Sequence, residues 1–161
     1  MQPCLPSHAF AHGVSATSPT DAWAVGYQYD SSDRQLTIAE HWDGIRWSIV
    51  PTPNPGSANT CGDTTYAGNM LFAVGALAST DVWAVGQICT YSNAKTLTEH
   101  WDGNAWTVIP SPNEPGLNAS TLVAVTAVAS NDVWAVGNYE VLGGYEWMTF
   151  VPDPSGGRIA T

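Results

Sequence analysis

Basic residues are nearly missing from this chain: four Lys and Arg stand against fourteen Asp and Glu in 161 residues, a formal net charge of −10. So few cations cannot form a basic patch, which argues against nucleic acid and anionic membrane surfaces as partners. Long apolar runs are missing too. No stretch approaches the roughly 20 residues that a membrane helix needs, so no membrane span is expected. The first residues, Met1-Gln2-Pro3-Cys4-Leu5-Pro6, carry neither the basic nor the apolar segment of a secretory signal. Helical periodicity is also lacking: the apolar runs are short, β-branched and aromatic, and turn residues separate them. What remains, 44% hydrophobic residues with 15 glycines, reads as globular, with length for one ordinary domain. Scarce lysine with abundant Ser, Thr, Asn and Gly suits an extracellular or cell-surface setting.

What is present is repetition. Asp-Val-Trp-Ala-Val-Gly occurs at Asp81 and again at Asp132, with Asp-Ala-Trp-Ala-Val-Gly at Asp21. A second block, Glu-His-Trp-Asp-Gly, starts at Glu40 and Glu99, each time followed by Trp47 or Trp106 and then by Pro-x-Pro-Asn. Val14, Val74 and Val125 each precede their Asp by seven residues, and Glu40 to Asn54 spans the same fourteen as Glu99 to Asn113. The variable lengths fall between these fixed segments. Self-similarity of this kind means that one supersecondary unit is stacked to make the core.

Each complete unit holds four strands, predicted in the second unit at 71–78, 82–89, 96–101 and 106–109, with a tight hairpin at Asp102-Gly103. The Val-Trp-Ala-Val strand is apolar on both faces, as in a sheet covered on both sides. Four-stranded sheets packed face to face around an axis make a β-propeller. The expected fold is therefore all-β, with four-stranded antiparallel blades. The predicted order is an extension at 1–9, a first blade at 10–54, a second at 55–113 with a long leading loop, a degenerate or truncated third at 114–155, and a tail at 156–161. In the third unit, strand three is expected to be shortened around 141–146, with 147–154 a decayed last strand and exit. About two and a half to three blades make an incomplete propeller, either a piece of a longer one or one that copies complete by self-association.

Val82-Trp83-Ala84-Val85-Gly86, Trp101-Asp102, Trp106 and Pro110-Ser111-Pro112 together resemble the kelch or galactose-oxidase-like propeller repeat, over roughly residues 10–139. The chain is also similar to tandem Trp-Ala-Val-Gly and His-Trp-Asp-Gly repeats of bacterial proteins. The resemblance implies a propeller whose ligands meet one face.

Residues that recur in every blade serve the blade. Trp23, Trp42, Trp47, Trp83, Trp101, Trp106 and Trp134 are therefore expected in the core between blades, each indole N–H tied to a neighbour. Glu40, Glu99, His41 and His100 follow the same logic, and Asp21, Asp81 and Asp132 are expected to hold their own turns. No spacing converges three or four ligands on one metal ion, and neither metal nor cofactor is expected. The tyrosines avoid the framework. Tyr27, Tyr29, Tyr91, Tyr139 and Tyr145 follow the second strand, and Tyr66 lies in the link between units. In a four-stranded meander the loop after strand two and the link into the next blade share one face. Tyr27, Tyr29, Asp30, Asp33, Asp63, Tyr66, Tyr91, Tyr139 and Glu140 thus form the candidate surface for a glycan or a peptide; the alternative is that the tyrosines only pack their own loops. Cys61 and Cys89 fall on that same face. They are either a disulfide, which would imply an oxidising compartment, or two small apolar side chains, with Cys4 left over.

The expected function is a non-catalytic binding or scaffold module. Two other classes compete with it. One is part of a propeller enzyme, a glycoside hydrolase or sialidase-like protein or a galactose-oxidase-like one; the other is a purely structural repeat. A copper oxidase needs converging His and Tyr, but the only histidines outside the repeat are His8 and His12. A sialidase needs clustered arginines, and Arg34, Arg46 and Arg158 are dispersed. A carboxylate pair for glycoside hydrolysis has candidates in Asp30, Asp33, Asp63 and Glu140, with nothing to select two of them.

Overall fold

Strands follow where β-branched and aromatic residues alternate. In the computed structural model, which describes residues 8–56, 68–90, 93–111, 113, 119–141, 144–151 and 158–160, no helix occurs among them. The first sheet holds β1 (Ala9–Ser18), β2 (Asp21–Tyr29), β3 (Gln35–Trp42) and β4 (Trp47–Val50). The second holds β5 (Met70–Ala78), β6 (Asp81–Thr90), β7 (Asn93–Trp101) and β8 (Trp106–Val108), and the third β9 (Ser120–Ala129), β10 (Asp132–Val141), β11 (Gly144–Val151) and β12 (Arg158–Ala160). Each is an antiparallel meander in chain order, consistent with a propeller-like blade. The first strands of the blades, β1, β5 and β9, lie side by side.

The third unit departs from the sequence reading. The segment assigned to a decayed last strand belongs to the third: β11 pairs with β10 from Ala135↔Phe150 to Val141↔Gly144. β10 runs on to Val141, so the returning chain is in register from Gly144 and carries Trp147 opposite Asn138. The fourth strand is Arg158–Ala160, in the stretch assigned to the tail, paired with Thr149 to Val151.

Alternation along the second strand of each blade decides what meets what. Trp23 and Val25 leave the first blade toward the second and pack with Leu71, Val74, Val82, Ala84, Leu97 and Trp106. Trp23 sits 5.0 Å from the ring of Trp101 and 5.3 Å from that of Trp106. On the opposite face of the second blade, Val85 meets Leu122 and Ala135 of the third. The glycine closing each Trp-Ala-Val-Gly block faces the first strand at a bulge. A Cβ on Gly26, Gly86 or Gly137 would lie 1.8, 1.9 or 1.8 Å from the carbonyl oxygen of Phe10, Met70 or Thr121. Any larger residue would break the pairing there.

The fixed fourteen-residue spacing has a cause as well. β4 and β8 are too short to pair with all of β3 and β7, and the Pro-x-Pro-Asn exit covers what they leave. Asn54 Oδ1 accepts the Thr37 N–H at 2.8 Å and Asn113 Oδ1 that of Thr96 at 2.9 Å, while the threonine hydroxyls meet Thr52 and Ser111. In the hairpins, Asp43 Oδ1 accepts N–H from Ile45 and Arg46, and Asp102 Oδ1 from Asn104 and Ala105. These amides hold both exposed carboxyls below the usual range. Gly44 and Gly103 supply the positive φ, 90° and 94°, that each turn requires.

One framework residue sits in a costly place. Glu99 is fully buried between the first two blades, opposite Ala84 and on the strand face shared by Leu97 and Trp101. Neither carboxylate oxygen meets a protein donor. Burial pushes its pKa up to about 8, against 4.5 for an ordinary glutamate. The folded chain thus keeps a proton that the unfolded chain releases. Stability is fullest at or below the ordinary value, falls as pH rises toward about 8, and levels off above it, by up to about 1.4 kcal/mol per pH unit. Glu99→Gln, neutral throughout, is expected to flatten this fall. Melting temperatures of the natural chain and the variant between pH 5 and 8 check it, and parallel profiles would contradict it.

Candidate functional site

The described end of the link into the second blade meets the start of β3, and that of the link into the third meets the start of β7. Gly68 bridges to Gln35 and Ala119 to Ala94 in parallel fashion. The Asn69 N–H donates to the Gln35 carbonyl, Cys89 N–H to that of Gly68 and Glu140 N–H to that of Ala119, each at 2.9 Å. The described ends of the variable segments therefore gather at one end of the blades, with the first residues of β1 and β5 beside them.

Two of the candidate residues come together there, with partners the sequence reading did not select. Tyr27 stacks on Phe10 at 5.1 Å and on His12 at 5.5 Å, and meets Tyr29 edge-on at 5.6 Å. His12 also meets Phe72 of the second blade edge-on at 5.5 Å. Phe10 remains 48% exposed, so the cluster is an open aromatic shelf. Tyr29 OH accepts from Gln35 Nε2 at 3.0 Å, which fixes that ring. By strand register, Phe10 and Tyr27 correspond to Met70 and Gln87 in the second blade and to Thr121 and Asn138 in the third. The shelf breaks the repeat. Comparing the blades position by position would have found Phe10; His12 sits at a bulge that only the structure reveals.

Of the acidic candidates, Asp30 serves its own loop. Asp30 accepts from the Ser32 and Arg34 amides at 2.8 and 3.0 Å and from Arg34 Nε and Nη2 at 2.7 and 2.6 Å. The Arg34 amide and side chain, with the Ser32 amide, hold its pKa below the ordinary carboxylate value. Asp33 is the left-handed residue of that loop, φ 58°, and its side chain is exposed. Tyr139 and Glu140 lie in the third blade, apart from the ring contacts of the shelf. Tyr139 donates its hydroxyl to Glu146 at 2.7 Å and packs against the Val85 cluster, while Glu140 is exposed. Asp63, Tyr66 and Tyr91 lie outside the described residues, as does Cys61. Cys89 is fully buried and disulfide-bonded.

At the opposite end of the blades lie two His–Asp pairs that resemble catalytic dyads. His41 Nε2 is 2.6 Å from Asp21 Oδ1 and His100 Nε2 2.9 Å from Asp81 Oδ1. Each His ring packs on the Trp directly across the strand pair, Trp23 at 4.6 Å and Trp83 at 4.4 Å. Asp21 also accepts from the Thr17 hydroxyl, and Asp81 from Ser130 and, at 3.0 Å, from Trp83 Nε1. Burial alone would raise both carboxyls; these hydrogen bonds outweigh it and lower them. So engaged, Asp81 holds its turn, His100 and Trp83, while Asp21 holds its turn and His41.

The tryptophans divide by neighbour. Trp23, Trp83 and Trp106 are buried, and Trp101 is partly buried against the first cluster. Trp42 and Trp101 donate to the Pro19 and Ser79 carbonyls at 3.1 Å, tying the Asp-Gly hairpin to the first turn of the blade. Trp42 and Trp47 are half-buried, on a blade with no neighbour on that side. Trp134 departs from the expectation of a core position: it is 45% exposed, because it leaves the third blade on the face that no further blade covers. Nor does every indole find a partner, since Trp23 and Trp106 Nε1 are buried without one.

Compared with known proteins, the chain matches no family model and no curated sequence.

Asp81→Ala is expected to cost about 1–3 kcal/mol, because it strands the buried Trp83 N–H and the His100 ring nitrogen. Asp132→Ala removes the same bond, 2.7 Å to Trp134 Nε1, where water can replace it, and is expected to cost less. Urea midpoints of the two variants check the ranking.

Proposed function

We propose that this chain is a non-catalytic binding module built from kelch-like or galactose-oxidase-like propeller blades, its loop face receiving a neutral glycan or a peptide on the aromatic shelf of the first blade. The observation that carries this reading is the break in the repeat. Phe10, Tyr27 and Tyr29 stand where the other blades place smaller or polar residues, Met70, Gln87 and Cys89 in the second and Thr121, Asn138 and Glu140 in the third, while the framework beneath them is kept; His12, the counterpart of Phe72, completes the shelf. Rigid rings with polar tips give contact area at small entropic cost, and they suit the flat apolar face of a sugar or an aromatic or proline side chain. A net charge of −10 disfavours acidic ligands.

A non-catalytic role is supported by Asp30. The Asp30 carboxylate is committed to Arg34 and two amides, which leaves it unsuited to work as half of a hydrolytic pair. The disulfide at Cys89 fits an extracellular or cell-surface setting.

Screening the chain on neutral glycan and peptide arrays is expected to yield a ligand whose affinity falls about tenfold or more in Phe10→Ala/Tyr27→Ala, the equivalent of about 1.4 kcal/mol. Unchanged capture by that variant, with its fold intact by circular dichroism, would overturn the shelf as the site. A natural chain that captures nothing would favour the purely structural reading.

A further inference from the structure

Among the described residues, two faces remain uncovered at the ends of the row of blades. On the third blade, register places Trp134 and Val136 on the same face as Tyr145 and Trp147, which lie opposite Glu140 and Asn138. All four are exposed, Trp147 at 79%. On the first blade, the face turned away from the second holds a shallow recess that includes Ala24, Ile38 and Glu40. Beside it, the rings of Trp42 and Trp47 stand 5.8 Å apart at 43°.

The inside of the molecule shows what fits such a recess. In the second blade the same register positions are Ala84, Leu97 and Glu99, and Trp101 and Trp106 stand 6.0 Å apart at 45°. Trp23 and Val25 of the preceding blade cover that surface. Trp134 and Val136 occupy the positions of Trp23 and Val25 in their own blade. Knob and socket are thus both present, at opposite ends of one chain, where they cannot meet within it.

We infer that two copies of this chain associate head to tail, the Trp134 face of each third blade seating on the Ala24–Ile38–Glu40 face of the other's first blade, to close one ring. A heterologous contact closes when its rotation divides the circle. Blade number selects the dimer: propellers typically have four to eight blades, a range that three blades per chain reach with two copies and overshoot with three. This inference does not rest on the ligand reading.

The test is light scattering behind a sizing column, under non-reducing conditions and over a range of concentrations. The expected species contains two 17.1 kDa chains. Trp134→Arg and Glu40→Arg both alter exposed or half-exposed side chains, so each variant should stay folded by circular dichroism yet run as a monomer. Mixing them in equal amounts is expected to restore a two-chain species, because one of the two contacts then has both natural faces. A monomeric natural chain, an open-ended series of masses, or a dimer indifferent to both substitutions would overturn the inference. So would a mixture that stays monomeric.

Discussion

A sheet that is apolar on both faces must be covered twice, and this requirement organises the whole chain. Val-Trp-Ala-Val cannot lie at a water boundary on either side without exposing large apolar area. Trp23 and Val25 on one blade and Val82 and Ala84 on the next therefore close on each other. Every fixed spacing serves that closure: the glycine lets the first strand approach, the Asp–His–Trp group holds the turn, and the Asn clamp finishes the edge of the third strand. Each is a local device repeated because the interface is repeated. Burial of Glu99 at that interface works against it, and the structure offers no compensating partner.

Much of this was legible in the sequence because repetition separates framework from variation. The four strands of the second unit lie within three residues of where the apolar runs and turn residues predicted them. The third unit differs from its sequence expectation for a physical reason. Without a Glu-His-Trp-Asp-Gly block nothing marks its third strand, and Trp147 looked like the tryptophan that opens a fourth; pairing with β10 overrides that resemblance. Analogy with Trp23 and Trp83 predicts a core position for Trp134, but burial depends on a neighbour that the repeat itself does not supply.

The candidate site was legible only in part. That the variable segments share an end is expected from the meander, and the Gln35–Gly68 and Ala94–Ala119 bridges bring their described ends to the starts of β3 and β7. Chemical type alone does not reveal that the Asp30 carboxylate binds its own loop, nor does it select Phe10, His12 and Phe72, which meet their partners across strands and between blades. Framework residues that look chemical, such as the His41–Asp21 pair, turn out to be engaged in structure.

The central claim is that coverage of both faces sets the stability of a blade. Hydrogen exchange resolved strand by strand, in a Trp134→Arg chain held monomeric, tests it most directly. Among the described residues, only the second blade is covered on both faces within one chain. The slowest exchange is therefore predicted in β6 and β7, with faster exchange in β10 and β11. Equal protection across the three blades, or greater protection in the third, would contradict it.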